Sequence, residues 1–278
     1  RYIKKKMNSK IKKFNSEGFI VFKNFFNIKE CNEFSELIDK KYEQNNFNEL
    51  ENEQALKFAL NDKMLDFLNE TFGKTYFTHD LVASIDKINY KYTFHRDNPC
   101  RRTSYGPDWD KDLNYNVVTA IAYFSDSEDV GSTLRVIKKS HLNKYKYSIS
   151  NLLRIFFGKT RDTENKYMIL LRRIVEKMIS YEIKYKSGDL VLFYCNLYHT
   201  GGITKIKEFA TRKAMVARYG GSGKHTENYA NYVLYYRDRI NQIQNIKDLK
   251  NYKSLLKEKK VFLEIPQEKK NIPHVSNK

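Results

Sequence analysis

The segment Val117-Val-Thr-Ala-Ile-Ala-Tyr-Phe124 is dense in β-branched and aromatic side chains, which predicts a buried β-strand. A strand of alternating character is predicted before it, at residues 81–92, and a shorter strand after it, at 131–137. No helical pattern separates these three strands. Parallel neighbours would need crossover connections, which are usually helical, so the lack of helices here favours antiparallel pairing.

Strands and helices are also predicted on both sides of this region. Further strands are expected at residues 17–26, 188–195 and 212–219, and apolar residues recur at helical spacing in 28–42, 53–72 and 145–185. Consecutive strands with helices packed outside them are typical of a double-sheet barrel, or jelly roll. The sequence therefore predicts a mainly β protein with flanking helices and a jelly-roll core.

We expect one domain over residues 1–278. Its core is predicted at about 17–220, with a helical insertion at about 145–187 and a charged, partly helical C-terminal extension at about 226–278. Hydrophobic residues make up 41% of the chain, which excludes wholesale disorder. No apolar run approaches the ~18 residues that a transmembrane helix needs, so a membrane span is not expected.

The chain is strongly basic, with 51 Lys and Arg against 33 Asp and Glu and a net charge of +18. Such a charge favours an anionic partner, which would be nucleic acid, a membrane surface or an anionic substrate. Lysines outnumber arginines 38 to 13, however, and the basic residues are scattered rather than aligned along one helix. We therefore expect mostly solvated surface charge and no nucleic acid partner, and peripheral membrane contact stays open.

The cysteines indicate a reducing compartment. There are three of them, Cys31, Cys100 and Cys195, which is an odd number without paired metal-binding spacing. That argues against a disulfide framework and favours a cytoplasmic location.

The triplet His95-Arg96-Asp97 is the sharpest local feature of the sequence. On an extended strand, residues i and i+2 point to the same face, so the imidazole and the carboxylate would project together. His199, which follows the strand predicted at 188–195, is the candidate third ligand. Two histidines and one carboxylate bind Fe(II) and leave positions open for oxygen chemistry. Taken alone, however, His95 fits an ordinary core or surface histidine better than a metal ligand.

Four blocks together resemble the phytanoyl-CoA dioxygenase family of Fe(II)- and 2-oxoglutarate-dependent oxygenases, over about residues 17–220. The blocks are Glu17-Gly-Phe-Ile-Val-Phe-Lys-Asn-Phe-Phe26, His95-Arg-Asp-Asn-Pro99, Gly131-Ser-Thr-Leu-Arg-Val-Ile-Lys-Lys-Ser-His141, and Gly188-Asp-Leu-Val-Leu-Phe193 followed by His199 and Arg212-Lys-Ala214. Lys138 and Lys139 replace the family's usual Pro-Gly before Ser140. The order of the blocks, rather than any one of them, makes the resemblance specific.

The resemblance implies a double-stranded β-helix that binds Fe(II), with 2-oxoglutarate and dioxygen as co-substrates. It makes His95, Asp97 and His199 the metal ligands and catalytic centre. It also places Arg212 where the family keeps the arginine that pairs with the distal carboxylate of 2-oxoglutarate, with Arg218 as the rival residue. The presence of Asp97 favours hydroxylation, because halogenating relatives lack this carboxylate.

Thr119 and Tyr123 fall on one face of a predicted strand and are candidates for hydrogen bonds to 2-oxoglutarate, although core packing is as plausible for Tyr123. The remaining histidines are expected to play minor roles. His141 is predicted to support a turn, and His79 and His225 are predicted to lie at the surface.

The loop at residues 98–114 follows directly after two of the proposed ligands and is expected at the rim of the site. With Arg96, just before it, the loop makes a cluster of three arginines within seven residues. The loop itself contains Arg101, Arg102 and the single tryptophan, Trp109. Paired guanidinium groups suit phosphate or carboxylate, so we predict a small or lipid-linked anionic substrate bound by these three residues. The alternative is an ordinary ordered loop.

Two other functions remain open from the sequence. One is a cupin-like metal enzyme, an epimerase or isomerase, that runs no oxidative cycle and does not need Arg212. The other is a catalytically inactive jelly-roll module that holds an anionic polymer or a membrane surface through its basic exterior.

Overall fold

The computed structural model describes residues 2–44, 47–87, 94–97, 116–142, 174–175, 177–203 and 211–270. Its centre is a pair of antiparallel sheets, one of five strands in the order β1-β6-β3-β8-β2 and one of three in the order β5-β4-β7. The strands are β1 (Phe19–Phe22), β2 (Thr75–Lys87), β3 (Val117–Tyr123), β4 (Ser132–Val136), β5 (Tyr181–Ile183), β6 (Leu190–Tyr194), β7 (His199–Ile203) and β8 (Thr211–Gly221).

Helices flank the sheets, as predicted. They are α1 (Tyr2–Glu17), α2 (Ile28–Gln44), α3 (Glu53–Ala59), α4 (Asp62–Phe72), α5 (Ser127–Val130), α6 (Lys224–Asn231), α7 (Ile240–Gln244) and α8 (Leu249–Glu258), and α6 continues into a π-helical turn, Tyr232–Tyr236. Among the described residues, no helix combines the length and the hydrophobicity that crossing a membrane requires.

Apolar cores lie on the two faces of the five-stranded sheet. In the centre of that sheet β3 pairs with β8, and successive side chains along each strand point to opposite faces. The pair Ala120 and Ala217 belongs to the larger core, which includes the helices. The pair Tyr123 and Ala214 belongs to a second core with Leu134 of the other sheet. The space between the two sheets is therefore apolar along most of its length.

The predicted strands on the described residues are confirmed, with shifts at their ends, but two predicted helices need correction. The helix expected at 53–72 is two helices, because Asn61 has an extended backbone and its side chain accepts a hydrogen bond from the Met64 amide, which starts α4. The helical segment expected at 145–185 ends in a strand, since β5 pairs with β4. Residues 174–175 and 177–179 are helical, and 143–173 and 176 lie outside the described residues.

A β-bulge interrupts β2 where it crosses the site. Phe77 is opposite Tyr219 and Leu81 is opposite Ala217, so four residue steps on β2 match two on β8. Inside the bulge His79 has a φ of 60°, a conformation that few residues other than glycine adopt. The extra residues let the strand direct His79 and Asp80 differently from a regular strand.

Two of the histidines predicted at the surface are buried. The Nδ1 of His79 lies 2.9 Å from the Tyr252 hydroxyl and its Nε2 lies 2.9 Å from the Leu263 carbonyl oxygen, both in the C-terminal region. The Nδ1 of His225 lies 3.1 Å from Asn116 Oδ1. Burial lowers the pKa of each imidazole to about 4, so both are neutral near pH 7. The sequence prediction was wrong because partners for both rings come from distant segments.

His141 supports the end of α1. Its Nε2 lies 3.0 Å from the Asn15 carbonyl oxygen, and its ring stacks on Tyr194 at 5.1 Å. Gly18, just past the helix, has a φ of +89°, and a Cβ there would lie 2.3 Å from His141 Nδ1. The turn between α1 and β1 therefore requires glycine at this position.

Candidate metal centre

The described segment 94–97 brings His95 beside β7. The His95 amide donates to the His199 carbonyl and the His199 amide donates to the His95 carbonyl, each at 2.9 Å. The two histidines are therefore directly opposite one another in an antiparallel bridge. Two residues further, the Asp97 amide donates to the Cys195 carbonyl at 2.7 Å, which holds the carboxylate on the same side as both rings.

The three side chains converge on one point. Asp97 Oδ1 lies 3.6 Å from His199 Nε2 and 3.9 Å from His95 Nε2, and one ligand atom from each residue lies within 4.8 Å of the others. A cation about 2 Å from each ligand atom fits between atoms at these separations. Within the described part of the chain, this is the only such group of three metal-ligating side chains.

The centre is closed on one side and open on the other. The side chains of His199 and Asp97 are 8% and 7% exposed, whereas that of His95 is 35% exposed. The ring of Phe193 packs against His199 at 4.5 Å and closes the inner side. In the part of the chain that the structure describes, the centre is therefore least covered on the side of His95.

Neighbouring groups fix which atoms face the centre. The Nδ1 of His199 lies 3.0 Å from the Leu197 carbonyl oxygen, and a proton held there leaves the Nε2 lone pair facing Asp97 and His95. Asp97 Oδ2 accepts hydrogen bonds from the Thr119 hydroxyl at 2.9 Å and from Arg218 Nη2 at 3.0 Å. Because Oδ2 is occupied in this way, Oδ1 is the oxygen presented to the two imidazoles.

The protonation states suit a cation. Burial, and next the charge of His95, lower the pKa of His199 to about 4. Burial alone would raise the pKa of Asp97, but Arg218, His199 and His95 outweigh it and hold that pKa well below its usual range. Metal ligands must be deprotonated, and Asp97 and His199 both are at neutral pH. The donor set therefore fits a divalent ion.

Arg218 enters this centre, whereas Arg212 lies at the other end of β8. The buried Arg218 guanidinium bridges Asp97 and Asp80, through Nη2 and Nη1 respectively. Arg212 is six positions away in β8, opposite Asp86 of β2, and alternation places it on the same face of the strand as Arg218. Arg218 is already paired with two carboxylates through its terminal nitrogens, and the role of Arg212 as anchor for the co-substrate stays a prediction.

The other predicted residues divide into two groups. Thr119 does lie at the centre, but its hydroxyl hydrogen goes to Asp97, so its contact with 2-oxoglutarate stays a prediction. Arg101, Arg102 and Trp109, like Cys100, lie outside the described residues.

Sequence reasoning missed several neighbours of Asp97. The Tyr229 hydroxyl donates to the Asp97 carbonyl at 3.2 Å, and Cys195 Sγ lies 3.3 Å from the Thr119 hydroxyl. Burial raises the pKa of the Cys195 thiol to about 12, so it stays protonated and is not a thiolate ligand. Arg218 could be placed from the sequence, because it is four residues after Ala214 in β8 and therefore points to the same inner face of the strand. Asp80 was not, because it reaches the site only through the bulge.

Comparison with known proteins supports the fold but identifies no family for this chain. No protein-family model matches the chain, and no curated protein matches it. Resemblance to the phytanoyl-CoA dioxygenase family specifically therefore stays a prediction. Solved structures with the same fold include non-haem enzymes that depend on α-ketoglutarate.

Three of these structures illustrate the range. SnoN, the epimerase from nogalamycin biosynthesis, has a TM-score of 0.53 and 12% identity, covering 78% of this chain and 84% of its own. HygX from Streptomyces hygroscopicus, with nickel and 2-oxoglutarate bound, has a TM-score of 0.54 and 18% identity, and the match covers 77% of this chain and 86% of the HygX chain. EctD from S. alaskensis, with 2-oxoglutarate and 5-hydroxyectoine, has a TM-score of 0.51 and 14% identity, covering 77% and 75%.

Proposed function

We propose that this protein is an Fe(II)- and 2-oxoglutarate-dependent dioxygenase that hydroxylates a small organic substrate. The observation that carries the proposal is the convergence of His95, Asp97 and His199 on one point, each presenting one ligand atom within 4.8 Å of the others. HygX was solved with metal and 2-oxoglutarate bound, which supports the same cofactors for a chain that shares its fold.

The order of the strands supports a double-stranded β-helix. Segment 94–97 is counted here with the three-stranded sheet, because His95 bridges to His199 of β7. From β2 onward the chain then alternates between the two sheets. The strands β2, β3, β6 and β8 lie in the five-stranded sheet, and the segments that come between them, 94–97, then β4 and β5, then β7, lie in the three-stranded sheet. The second half mirrors the first, as when a long hairpin is wound into a jelly roll. The metal centre then lies at one end of the space between the sheets.

Each residue has a role in this scheme. His95, Asp97 and His199 would hold the iron, and the Leu197 carbonyl, Thr119 and Arg218 would orient two of these ligands. When bound, iron and 2-oxoglutarate would supply the oxidising power that activates dioxygen. Arg212 would bind the distal carboxylate of 2-oxoglutarate, for which the planar guanidinium is suited. The apolar residues between the sheets, among them Phe193, would shield the inner side of the centre from water.

We also propose an anionic substrate, small or lipid-linked. Arg101 and Arg102, with Trp109, come directly after the ligand segment and would bind its phosphate or carboxylate. Arg96 does not join them, because its guanidinium is buried over the Tyr198 ring at 5.3 Å. The substrate proposal therefore depends on the pair in the loop.

The test is anaerobic titration with Fe(II) and then 2-oxoglutarate, followed by measurement of succinate release in air. A weak visible charge-transfer band, formed only with both ligands, supports chelation of the 2-oxo acid at the metal. Asp97→Ala should lose the band and the succinate release. The control Asp62→Asn, an exposed aspartate of α4 paired with Lys259, should keep both. Undiminished turnover in Asp97→Ala would refute the assignment.

The product identifies the type of reaction. A hydroxylase releases succinate and a product one oxygen atom heavier, whereas an epimerase such as SnoN leaves the substrate mass unchanged. A non-oxidative metal enzyme releases no succinate at all. Mass spectrometry of products with ¹⁸O₂ distinguishes the three.

A further inference from the structure

We infer that Asp80 is a positioning residue for the metal centre, acting on the ligand Asp97 through the guanidinium of Arg218. The inference rests on the proposed metal site. Asp80 lies outside the His95–Asp97–His199 set, on a different strand, β2. It is connected to the centre through the buried Arg218, which pairs with both Asp80 and Asp97.

The three side chains form a continuous buried chain. Arg218 Nη1 donates to Asp80 Oδ2 and Arg218 Nη2 donates to Asp97 Oδ2 at 3.0 Å. Their side chains are 1%, 8% and 7% exposed for Asp80, Arg218 and Asp97. A guanidinium is planar and rigid, so holding one terminal nitrogen sets the direction of the other. Asp80 thereby fixes the contact that turns Asp97 Oδ1 toward the imidazoles.

Asp80 also balances the charge at the centre. A buried guanidinium 3.0 Å from a ligand carboxylate would weaken the attraction of that carboxylate for a cation. With Asp80 the three groups carry two negative charges and one positive, and the net negative charge favours a divalent ion. Without Asp80 the charges of Arg218 and Asp97 cancel.

The bulge in β2 makes this arrangement possible. The Thr78 hydroxyl donates to the Arg218 carbonyl at 2.9 Å, which ties the bulge to β8 at the arginine itself. His79 is held on its other side by the Tyr252 hydroxyl and the Leu263 carbonyl. Thr78 and His79 therefore anchor the loop of the bulge on two sides, and Asp80 is directed at Arg218.

The experiment measures Co(II) affinity, because cobalt is a stable probe of the site and needs neither oxygen nor substrate. Asp80→Asn keeps the shape of the side chain and removes its charge. We expect its Co(II) dissociation constant to rise about 10- to 100-fold, with altered visible ligand-field bands. The matched control is Asp189→Asn, which also removes a buried, ion-paired aspartate, here bound by Lys23 and the Asn24 amide. It should change Co(II) affinity by less than about threefold, even where it lowers the melting temperature.

A double-mutant cycle tests the route through Arg218. In an Arg218→Met background, Asp80→Asn should change Co(II) affinity by less than about threefold, because the intermediary is gone. An equal loss with and without Arg218 overturns the inference, and so does unchanged affinity in Asp80→Asn or an equal loss in Asp189→Asn. If Asp80→Asn does not fold, Asp80→Glu keeps the charge but moves it by one methylene, and unchanged affinity in that variant overturns the inference.

The proposed function can fail separately. Wild-type protein that binds Co(II) but releases no succinate from 2-oxoglutarate refutes the oxygenase and leaves the role of Asp80 standing. Wild-type protein that binds Co(II) with no effect of Asp80→Asn refutes only the positioning role. Failure of the wild type to bind Co(II) refutes both.

Discussion

The two oxygens of Asp97 have different tasks. Oδ2 is occupied by Thr119 and Arg218, and Oδ1 faces the histidines, so the carboxylate can give only one oxygen to a metal. If a metal binds as proposed, single-atom coordination by this residue would leave more positions on the ion for a bidentate 2-oxo acid and for dioxygen. The hydrogen bonds around one carboxylate therefore influence how many ligands the metal can accept.

Replacement of the two arginines of β8 should have different effects. Arg212→Lys keeps the charge but loses the two-pronged contact, so the apparent KM for 2-oxoglutarate should rise about tenfold or more with little change in Co(II) affinity. Arg218→Lys should instead weaken Co(II) binding, because a lysine cannot bridge Asp80 and Asp97 in the same geometry. If the KM effect appears in Arg218→Lys and not in Arg212→Lys, the co-substrate anchor has been assigned to the wrong arginine.

The proposed substrate arginines can be tested in the same assay. Arg101→Ala/Arg102→Ala should reduce the stimulation of succinate release by anionic compounds and leave the substrate-independent rate unchanged, because the metal ligands are untouched. The measurement is a screen of anionic and neutral candidates with wild type and double variant. Best turnover of neutral compounds, with the double variant unimpaired, would contradict an anionic substrate.

At the scale of elements, the turn between α1 and β1 links the N-terminal helix to the sheet. Phe14 is fully buried and stacks on Tyr194 of β6 at 4.7 Å, so α1 packs on the same sheet face as α4. Gly18 passes close under His141 and Leu197, and Leu197 is the residue whose carbonyl orients His199. A displacement at this turn would therefore shift Leu197, which is two residues from the proposed metal ligand His199.

Gly18→Ala should destabilise the protein by about 2 kcal/mol or more, since it adds both a steric clash and a strained φ. The control is Gly73→Ala, where φ is +77° but an added methyl group would meet no atom within 4 Å. The difference between the two variants in chemical denaturation isolates the clash with His141. Equal destabilisation would mean that only backbone strain matters at residue 18.

At the scale of the whole molecule, short runs rich in apolar and β-branched residues were enough to predict β3, β4, β6 and β8, and the antiparallel pairing follows from the lack of crossover helices. The convergence of His95 and Asp97 was predictable because an HxD triplet on a strand is a local pattern. Thr119 and Arg218, the partners of the Asp97 carboxylate, lie on strand faces that alternation defines. Asp80 was not predictable, since it meets Arg218 across 138 positions of sequence through a bulge that breaks the two-residue period. The surface prediction for His79 failed for the same reason, because its partners Tyr252 and Leu263 lie far along the chain.

Acid should weaken the attachment of the C-terminal region through His79. The folded state lowers the pKa of this imidazole to about 4 by burial, with Lys253 adding in the same direction, against about 6.5 when unfolded. The unfolded chain therefore binds the proton first, and stability falls as the pH decreases from about 6.5 to 4, by up to about 3 kcal/mol from this group.

His225 titrates in the same window, so the test compares variants. His79→Asn, a residue that tolerates positive φ, should be less stable at pH 7 but should lose less stability between pH 6.5 and 4 than the wild type does. Denaturant titrations across this range measure both. An unchanged pH slope would mean that His79 is not a source of the acid sensitivity.

The position of β8 has a consequence for how the chain reaches this structure. Among the described strands it is the last in sequence, yet it lies between β2 and β3, which precede it by more than 85 residues at every pairing. Such non-local contacts give a high contact order and slow folding. During synthesis, the edges of β2 and β3 that will pair with β8 stay unpaired until β8 has left the ribosome. Until then they can pair with strands of another chain. The arrival of β8 thus closes the sheet and brings Arg218 to Asp97 in one event.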